Sequence, residues 1–458
     1  MSLRIYNTLS RSIEDFQPLN PPNVSIYSCG PTVYDFQHIG HMRRYVGDDL
    51  LIRALKYNGY KVHHVMNITD VGHLTSDADT GEDKMEKGAR KLGLSVWDIA
   101  KKFEKQFIES CEALNITLPK ELMHATDYIP EQIELIKTLE EKGFTYKTTD
   151  GIYFDSSKFP DYFKLSRQNP EDLKAGVRVE IGEKKNISDF ALWKFSPKDS
   201  KRQMEWDSPW GKGFPGWHIE CSAMSMKALG DTLDIHTGGV DHINIHHTNE
   251  IAQSEAATGK PFVKYWIHHA FLIAEGEKMS KSLENTYTVS DVRQKGFDPL
   301  ALRYLYMQTH YRQEMNFTWE ALEAAQKAFS KLREDFSSWE EAKIGCAEFE
   351  QKFEEAVNDD LNFPKALSIV WEMVKSDYPD SAKKQSILKF DEVLGLSLAN
   401  FKPKKIEIPE EVRKLVEERE ALRKEGKFDE ADKIREEVEE KGFIVEDSEA
   451  GPKIKSNN

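Results

Sequence analysis

VSIYSC, from Val24 to Cys29, is β-branched and aromatic and runs into Gly30 and Pro31, so it predicts a strand ending in a loop. After GPTVYDFQHIG, apolar residues return at Val46, Leu50 and Leu55 with helical spacing until Asn58 and Gly59 stop them. YKVHHVMNIT supplies another strand, so residues 24–69 predict one strand, helix, strand unit of a parallel sheet. From about Ser95 to Lys142 the pattern is helical, VWDIAKKFEKQFIESCEAL then PEQIELIKTLEEKG, with Gly143 as the C-terminal stop.

Residues 144–200 change character. TYKTTDGIYFDSSKFP is short-stranded and rich in turns, and EIGEKKNISDFALWKF follows a polar stretch, which predicts an insertion. Glycine-rich runs then resume with PWGKGFPGWHIECSAM and DIHTGGVDHINIHHTNE among strand-like apolar segments. The expected class is α/β: a Rossmann-like doubly wound parallel sheet formed by 1–143 and 201–282, interrupted by the 144–200 insertion. Beyond a connector at 283–312 the chain reads as a helical bundle over 313–402, in YRQEMNFTWEALEAAQKAFSKLREDF and EQKFEEAVNDDLNFPKALSIVWEMVKS. After the linker FKPKKIEIP, residues 403–458 form a small C-terminal α+β piece. There Leu415, Val416 and Leu422 face Ala431, Ile434 and Val438 around Gly426 as a helical hairpin, and GFIVEDSEAGPKIK predicts two short strands about a turn.

The 458 residues, 39% of them hydrophobic, suffice for two to four domains. No apolar stretch has the length of a membrane span, and MSLRIYNTLSRSIEDF lacks the apolar run of a secretory signal, so a soluble, cytoplasmic protein is expected. Cys29, Cys111, Cys221 and Cys346 make no CxxC pair, which excludes a zinc-ribbon knuckle and leaves any metal ligands to be gathered by the fold. Against 78 acidic residues stand 63 basic ones, a formal charge of -15 that argues against a surface coating nucleic acid. A local basic groove remains compatible with it, because distant carboxylates are screened beyond about 8 Å.

DFQHIGHMRR sits where the first strand gives way to a helix. A helix N-terminus offers free backbone N–H groups to a phosphate, His38 and His41 add donors, and Gly40 lets another group come close. Taken alone, HxGH also describes a turn glycine between surface histidines. EGEKMSKSLEN adds Lys278 and Lys281, two ammonium groups on a glycine-preceded loop suited to gripping polyphosphate. HIGH followed about 240 residues later by KMSKS resembles the signature of class I aminoacyl-tRNA synthetases. That resemblance implies attack of an amino-acid carboxylate on the α-phosphorus of ATP, with Mg²⁺, and transfer of the acyl group to tRNA. His38, His41, Lys278 and Lys281 are then the catalytic candidates and Gly40 an ATP contact, with no general base needed, since the carboxylate is already ionised.

YSCGPTVYD, GWHIECSAM and HHTNEIAQSEAA together resemble the cysteine-specific family of that class over nearly the whole chain. The resemblance implies one zinc ion per subunit, held by Cys29, Cys221, His246 and Glu250, with Gly30, Thr69 and Trp217 in the amino-acid pocket and Asp241 at the nucleotide ribose. It also implies tRNA(Cys), L-cysteine and ATP as partners, no membrane, a monomer, a stem contact in the 283–312 connector and anticodon recognition from 313 onward. From the residues alone, a single HxxxE is a weak zinc signal, Trp217 fits core packing, and His247 competes with His246 as the partner of Glu250. A zinc with two thiolates takes a third sulfur in preference to a hydroxyl, so no editing domain is expected. The chain departs from the family pattern at Glu284, between Val71 and Lys84, and at His242, Asn244, Ile245 and Thr248. Two other readings share these motifs: a cysteine-adenylating ligase acting on an amino sugar, and a catalytically silent tRNA-binding paralogue.

Overall fold

The computed structural model describes residues 2–73, 83–120, 122–169, 183–197, 202–279, 285–402, 409–446 and 451–456. Two compact units divide the chain, residues 1–399 and 400–458.

The larger unit is built on five parallel strands, β1 (Asn23–Ser28), β2 (Lys61–Ile68), β3 (Leu122–His124), β4 (Leu233–Gly239) and β5 (Val263–His269), in the order β5-β4-β1-β2-β3. Chain order reverses between β1 and β4. At that switch point the crossovers leave in opposite directions and open a crevice beyond the C-terminal strand ends. Ile26 and Ile235 pair across it and are fully buried, as expected of strands covered on both faces.

Helix α1 (Ile39–Tyr57) links β1 to β2. Asn58 and Gly59, the latter at φ +84°, end it where the sequence predicts. The helices expected from about Ser95 to Lys142 span Val96–Ala113 and Ile129–Glu141, with Gly143 at φ +78° after the second. Two further helices frame the crevice: α2 (Trp217–Leu229) before β4, and α3 (His246–Thr258) between β4 and β5.

The insertion is a four-stranded antiparallel meander of Thr145–Lys147, Gly151–Phe154, Phe190–Phe195 and Gly213–Pro215. Its last strand lies beyond the expected boundary at residue 200. Trp193 to Phe195 pair with Gly213 to Pro215, and a side chain at Gly213 would collide with the Lys194 carbonyl at 2.0 Å. The glycine that reads as a return to the sheet domain is there to let two strands approach.

The segment YRQEMNF, expected to be helical, contains a strand. Met315–Phe317 pairs with Leu272–Ala274, and the helix α4 (Trp319–Ser338) starts only after its cap Thr318. EQKFEEAVNDDLNFPKALSIVWEMVKS divides into α5 (Ala347–Asn358) and α6 (Phe363–Val374), broken where Asp360 and Leu361 take positive φ. These helices and α7 (Asp380–Leu394) share one apolar core with the sheet domain, through Phe329, Phe353, Val370 and Phe390.

In the smaller unit α8 (Glu410–Lys424) and α9 (Phe428–Glu440) form the expected hairpin, followed by β6 (Phe443–Glu446) and β7 (Lys453–Ser456) in antiparallel register. Val412, Val416, Val438 and Val445 make its core. No helix among the described residues is long and apolar enough to cross a membrane.

Candidate active site and metal centre

Three loops meet at the crevice. The first follows β1 and carries Cys29 and Gly30. Gly30 is required there, because a Cβ would sit 1.5 Å from the Asn67 carbonyl oxygen. Its N–H donates to Asn67 Oδ1 at 2.7 Å, which ties the ends of β1 and β2 together.

This loop ends at His38, the cap of α1. His38 Nδ1 accepts from the N–H groups of Gly40 at 3.1 Å and His41 at 3.3 Å, while Ile39 N–H donates to the Tyr287 carbonyl at 2.8 Å. All three leading amides of the helix are thus already bonded, so the expected free backbone donors for phosphate are taken up within the chain. What remains is imidazole. The His38 and His41 rings stack at 3.5 Å. Burial lowers His38 to about 4, so at neutral pH its ring is uncharged, with Nδ1 accepting and Nε2 left as an N–H donor, and His41, stacked on it at the surface, is shifted in the same direction. A Cβ on Gly40 would lie 3.5 Å from Met279 Cε, so the structure sets HIGH beside Met279, the second residue of KMSKS. Lys278 is exposed beside Phe271, and its carbonyl is held by Asn285 Nδ2 at 3.3 Å. Lys281 and Glu284 lie outside the described residues, as does 74–82, the larger part of the Val71–Lys84 stretch.

The third element is α3 with the turn before it. Ligand atoms of Cys29, Cys221, His246 and Glu250 all fall within 4.8 Å of one another, and all four residues are buried. A second set, Cys29, His236, His247 and Glu250, meets the same criterion, so the register alternative at His247 persists in space. The two sets differ in their hydrogen bonding. In the second, His236 Nε2 bonds Glu250 Oε2 at 2.8 Å, His247 Nδ1 bonds His268 Nε2 at 2.8 Å, and Cys29 Sγ lies 3.4 Å from His247 Nε2. In the first, His246 Nε2 lies 2.9 Å from Glu250 Oε1, and the two thiols lie within reach of both. The four donors are close enough together to share one cation.

Tetrahedral zinc with ligands at about 2.0–2.3 Å sets its donors about 3.3–3.8 Å apart, which suits such a cluster, as does the mixture of thiol, imidazole and carboxylate. The other nitrogen of His246, Nδ1, is 3.0 Å from His218 Nδ1. Burial and the His246 charge hold His218 well below the usual range, so its neutral ring can accept the Nδ1 proton of His246, and it is the Nε2 proton that would give way to a cation. Burial opposes charge on His246 and Glu250, but the carboxylate and Cys221 push the ring up to about 10, while His236 and His246 hold Glu250 down to about 2. Burial raises both thiols; for Cys221 the hydrogen bond with Cys29 is the larger cause. Two thiols and a carboxylate thus share a buried space in which neighbouring imidazoles supply the compensating charge.

Trp217, the first residue of α2, lays its ring 4.4 Å from that of His246 and at 6.1 Å, edge-on, from His242. Thr69, at the end of β2, donates to Glu220 Oε2 at 3.1 Å. Asp241 is exposed just beyond β4, where a Cβ on Gly239 would strike its Oδ1 at 2.2 Å. His242, one of the departures from the family pattern, turns its ring toward Trp217, His246 and His247, with Nδ1 buried and unpartnered. The sequence reading passed over His218, His236, His268, His73 and Glu220. The visible signal was there in GWHIEC, DIHTGG and HHA, where histidines interrupt apolar runs.

A doubly wound sheet with HIGH at the first crossover and KMSKS after the last strand is the catalytic domain of a class I aminoacyl-tRNA synthetase. Residues 15–327 match the family "tRNA synthetases class I (C) catalytic domain", 352–376 the DALR domain and 406–452 the "Cysteinyl-tRNA ligase anticodon binding domain". Cysteine--tRNA ligase 1 of Burkholderia lata is 50% identical over 455 residues, covering 99% of this chain and 97% of that one. Cysteine--tRNA ligase of Treponema denticola is 44% identical over 482 residues, covering 98% of each. The chain belongs to the cysteinyl-tRNA ligase family. Among solved structures, Mycobacterium tuberculosis methionyl-tRNA synthetase in complex with methionyl-adenylate shares the fold at a TM-score of 0.55 and 15% identity, over 82% of this chain and 90% of that one.

Proposed function

We propose that this chain activates L-cysteine with ATP to cysteinyl-adenylate and transfers the cysteinyl group to the 3′ end of tRNA(Cys), choosing cysteine through a zinc ion on Cys29, Cys221, His246 and Glu250. The observation that carries the reading is the convergence of these four buried donors at the switch point of a sheet whose other loops carry HIGH and KMSKS. Zinc there supplies a soft centre that takes a thiol sulfur in preference to a hydroxyl oxygen.

The chain's own residues do the rest. Trp217 walls the pocket over His246, while Gly30 and Thr69 line the strand ends where the amino acid's α-carbon lies. His38 and His41, neutral and capped, direct ring N–H groups at the phosphates, and Lys278 and Lys281 bring positive charge from the facing loop. Charge moves onto the pyrophosphate leaving group, so these donors bind the transition state more tightly than ATP itself. Asp241 accepts from the ribose hydroxyls. The match of 406–452 to an anticodon-binding domain supports tRNA over an amino sugar as acceptor.

Cysteine-dependent ATP–pyrophosphate exchange and charging of tRNA(Cys), compared with serine, test the reading. The expected preference for cysteine is roughly 10⁴-fold or more. Equal activation of serine contradicts it, and absence of exchange with either amino acid overturns the activity.

A further inference from the structure

Glu220 is fully buried one turn after Trp217 and next to Cys221, and the roles proposed above give it none. Its carboxyl group accepts from Thr69 Oγ1 at 3.1 Å and lies 2.7 Å from His73 Nε2. Among the described residues, no lysine or arginine pairs with it.

The direction of the Thr69 hydroxyl is fixed from both sides. Asn67 Oδ1 accepts the Gly30 N–H at 2.7 Å, which orients the amide so that Asn67 Nδ2 donates to Thr69 Oγ1 at 3.0 Å. The Thr69 proton is then committed to Glu220. Thr69 Oγ1 is left with a lone pair and no hydrogen to offer, so toward a further partner it can only accept. The C-terminal end of β2 thus presents the Thr69 oxygen as an acceptor backed by a buried carboxyl group, distinct from the four grouped donors and from HIGH.

A free amino acid has three groups to match: a side chain, a carboxylate bound for phosphorus, and an α-ammonium. We propose that Glu220 makes Thr69 an obligate acceptor for the α-ammonium of the substrate, so that the site selects thiols carrying a free amine on the correct face of the α-carbon. Glu220 has no surface of its own and acts through Thr69; it is a positioning residue. Three attachment points, sulfur, ammonium and carboxylate, also define one enantiomer. The inference rests on the cysteine-activating reading above.

The test is equilibrium binding of L-cysteine and of 3-mercaptopropionate, which lacks only the amine, to the zinc-loaded protein and to its Glu220→Gln variant, with zinc content measured alongside. Wild type is expected to prefer cysteine, and Glu220→Gln to weaken cysteine roughly ten- to a hundredfold while leaving 3-mercaptopropionate and zinc unchanged. Thr69→Val is expected to reproduce that selective loss and Thr69→Ser to restore it, which decides the matter even where Glu220→Gln does not fold. Equal weakening of both ligands, or no change in either, overturns the proposal. Wild-type protein that binds the two ligands equally overturns it as well, whereas wild type without cysteine-dependent exchange overturns the activity instead.

Discussion

Asp49 and Glu250 are both carboxyl groups buried in the larger unit, yet their surroundings differ in kind. Asp49 on α1 receives Arg303 Nη2 at 2.6 Å, Arg53 Nε at 2.7 Å and the Thr117 N–H at 3.0 Å. Arg303 in turn spends its remaining donors on the carbonyls of Leu394, Leu114 and Asn115. Every charge in that cluster meets a fixed partner, and it joins α1 to the helices around it. Glu250 meets no arginine or lysine among the described residues, but imidazoles, His236 Nε2 at 2.8 Å and His246 Nε2 at 2.9 Å, with two thiols beside them. Burying charge is costly unless it is paired. Where arginines meet the carboxylate the cluster serves the fold, and where imidazoles and thiols meet it the four buried donors are grouped closely enough to hold a metal ion.

The contrast can be broken at either end. Asp49→Asn leaves the Arg303 guanidinium buried without its anion, so stability is expected to drop by about 3–5 kcal/mol, read as a lower midpoint in denaturant, with zinc content per folded molecule unchanged. Cys221→Ser is expected to do the reverse: zinc affinity falls by more than about a hundredfold and cysteine-dependent exchange falls with it, while the denaturation of the metal-free protein barely moves. His218→Ala removes the ring behind His246 Nδ1, and competition with a chelator should show zinc held roughly ten- to a hundredfold less tightly. The smallest effect concerns pH. Burial raises the Asp49 carboxyl, but Arg303 and Arg53 outweigh it and hold the group below its usual value. The stability it contributes is therefore complete above about pH 4 and is lost as pH falls toward the lower native value, so the acid limb of an unfolding titration should flatten when Asp49 and Arg303 are replaced together.

The two clusters were not equally legible in the sequence. Residues 24–69 announced their strands and helix through periodicity and stops, because local pattern and tertiary burial agree there. Met315–Phe317 misled, since its apolar spacing continues that of the helix after it, and only a partner strand 43 residues earlier, at Leu272–Ala274, makes it extended. Gly213 misled for a like reason: it looks like punctuation and is in fact a close approach between strands. At the site, the signature motifs and the family resemblance pointed to four donors that the fold does gather, and since a set containing His247 is gathered as closely, it is the resemblance that selects His246. Glu220 was invisible, because its role depends on which way a threonine hydroxyl points. So was the closure of the α1 amides by His38, which turns an expected backbone phosphate site into a pair of neutral imidazoles.

X-ray absorption at the zinc edge of the purified, active protein, taken before and after addition of L-cysteine, asks the central question most directly. The account predicts about one zinc per chain, bound by two sulfurs from Cys29 and Cys221 and two lighter atoms from His246 and Glu250, with the sulfur count rising to three on addition of cysteine and not of serine. Active protein without metal, or a metal whose coordination contains no sulfur and ignores cysteine, contradicts it.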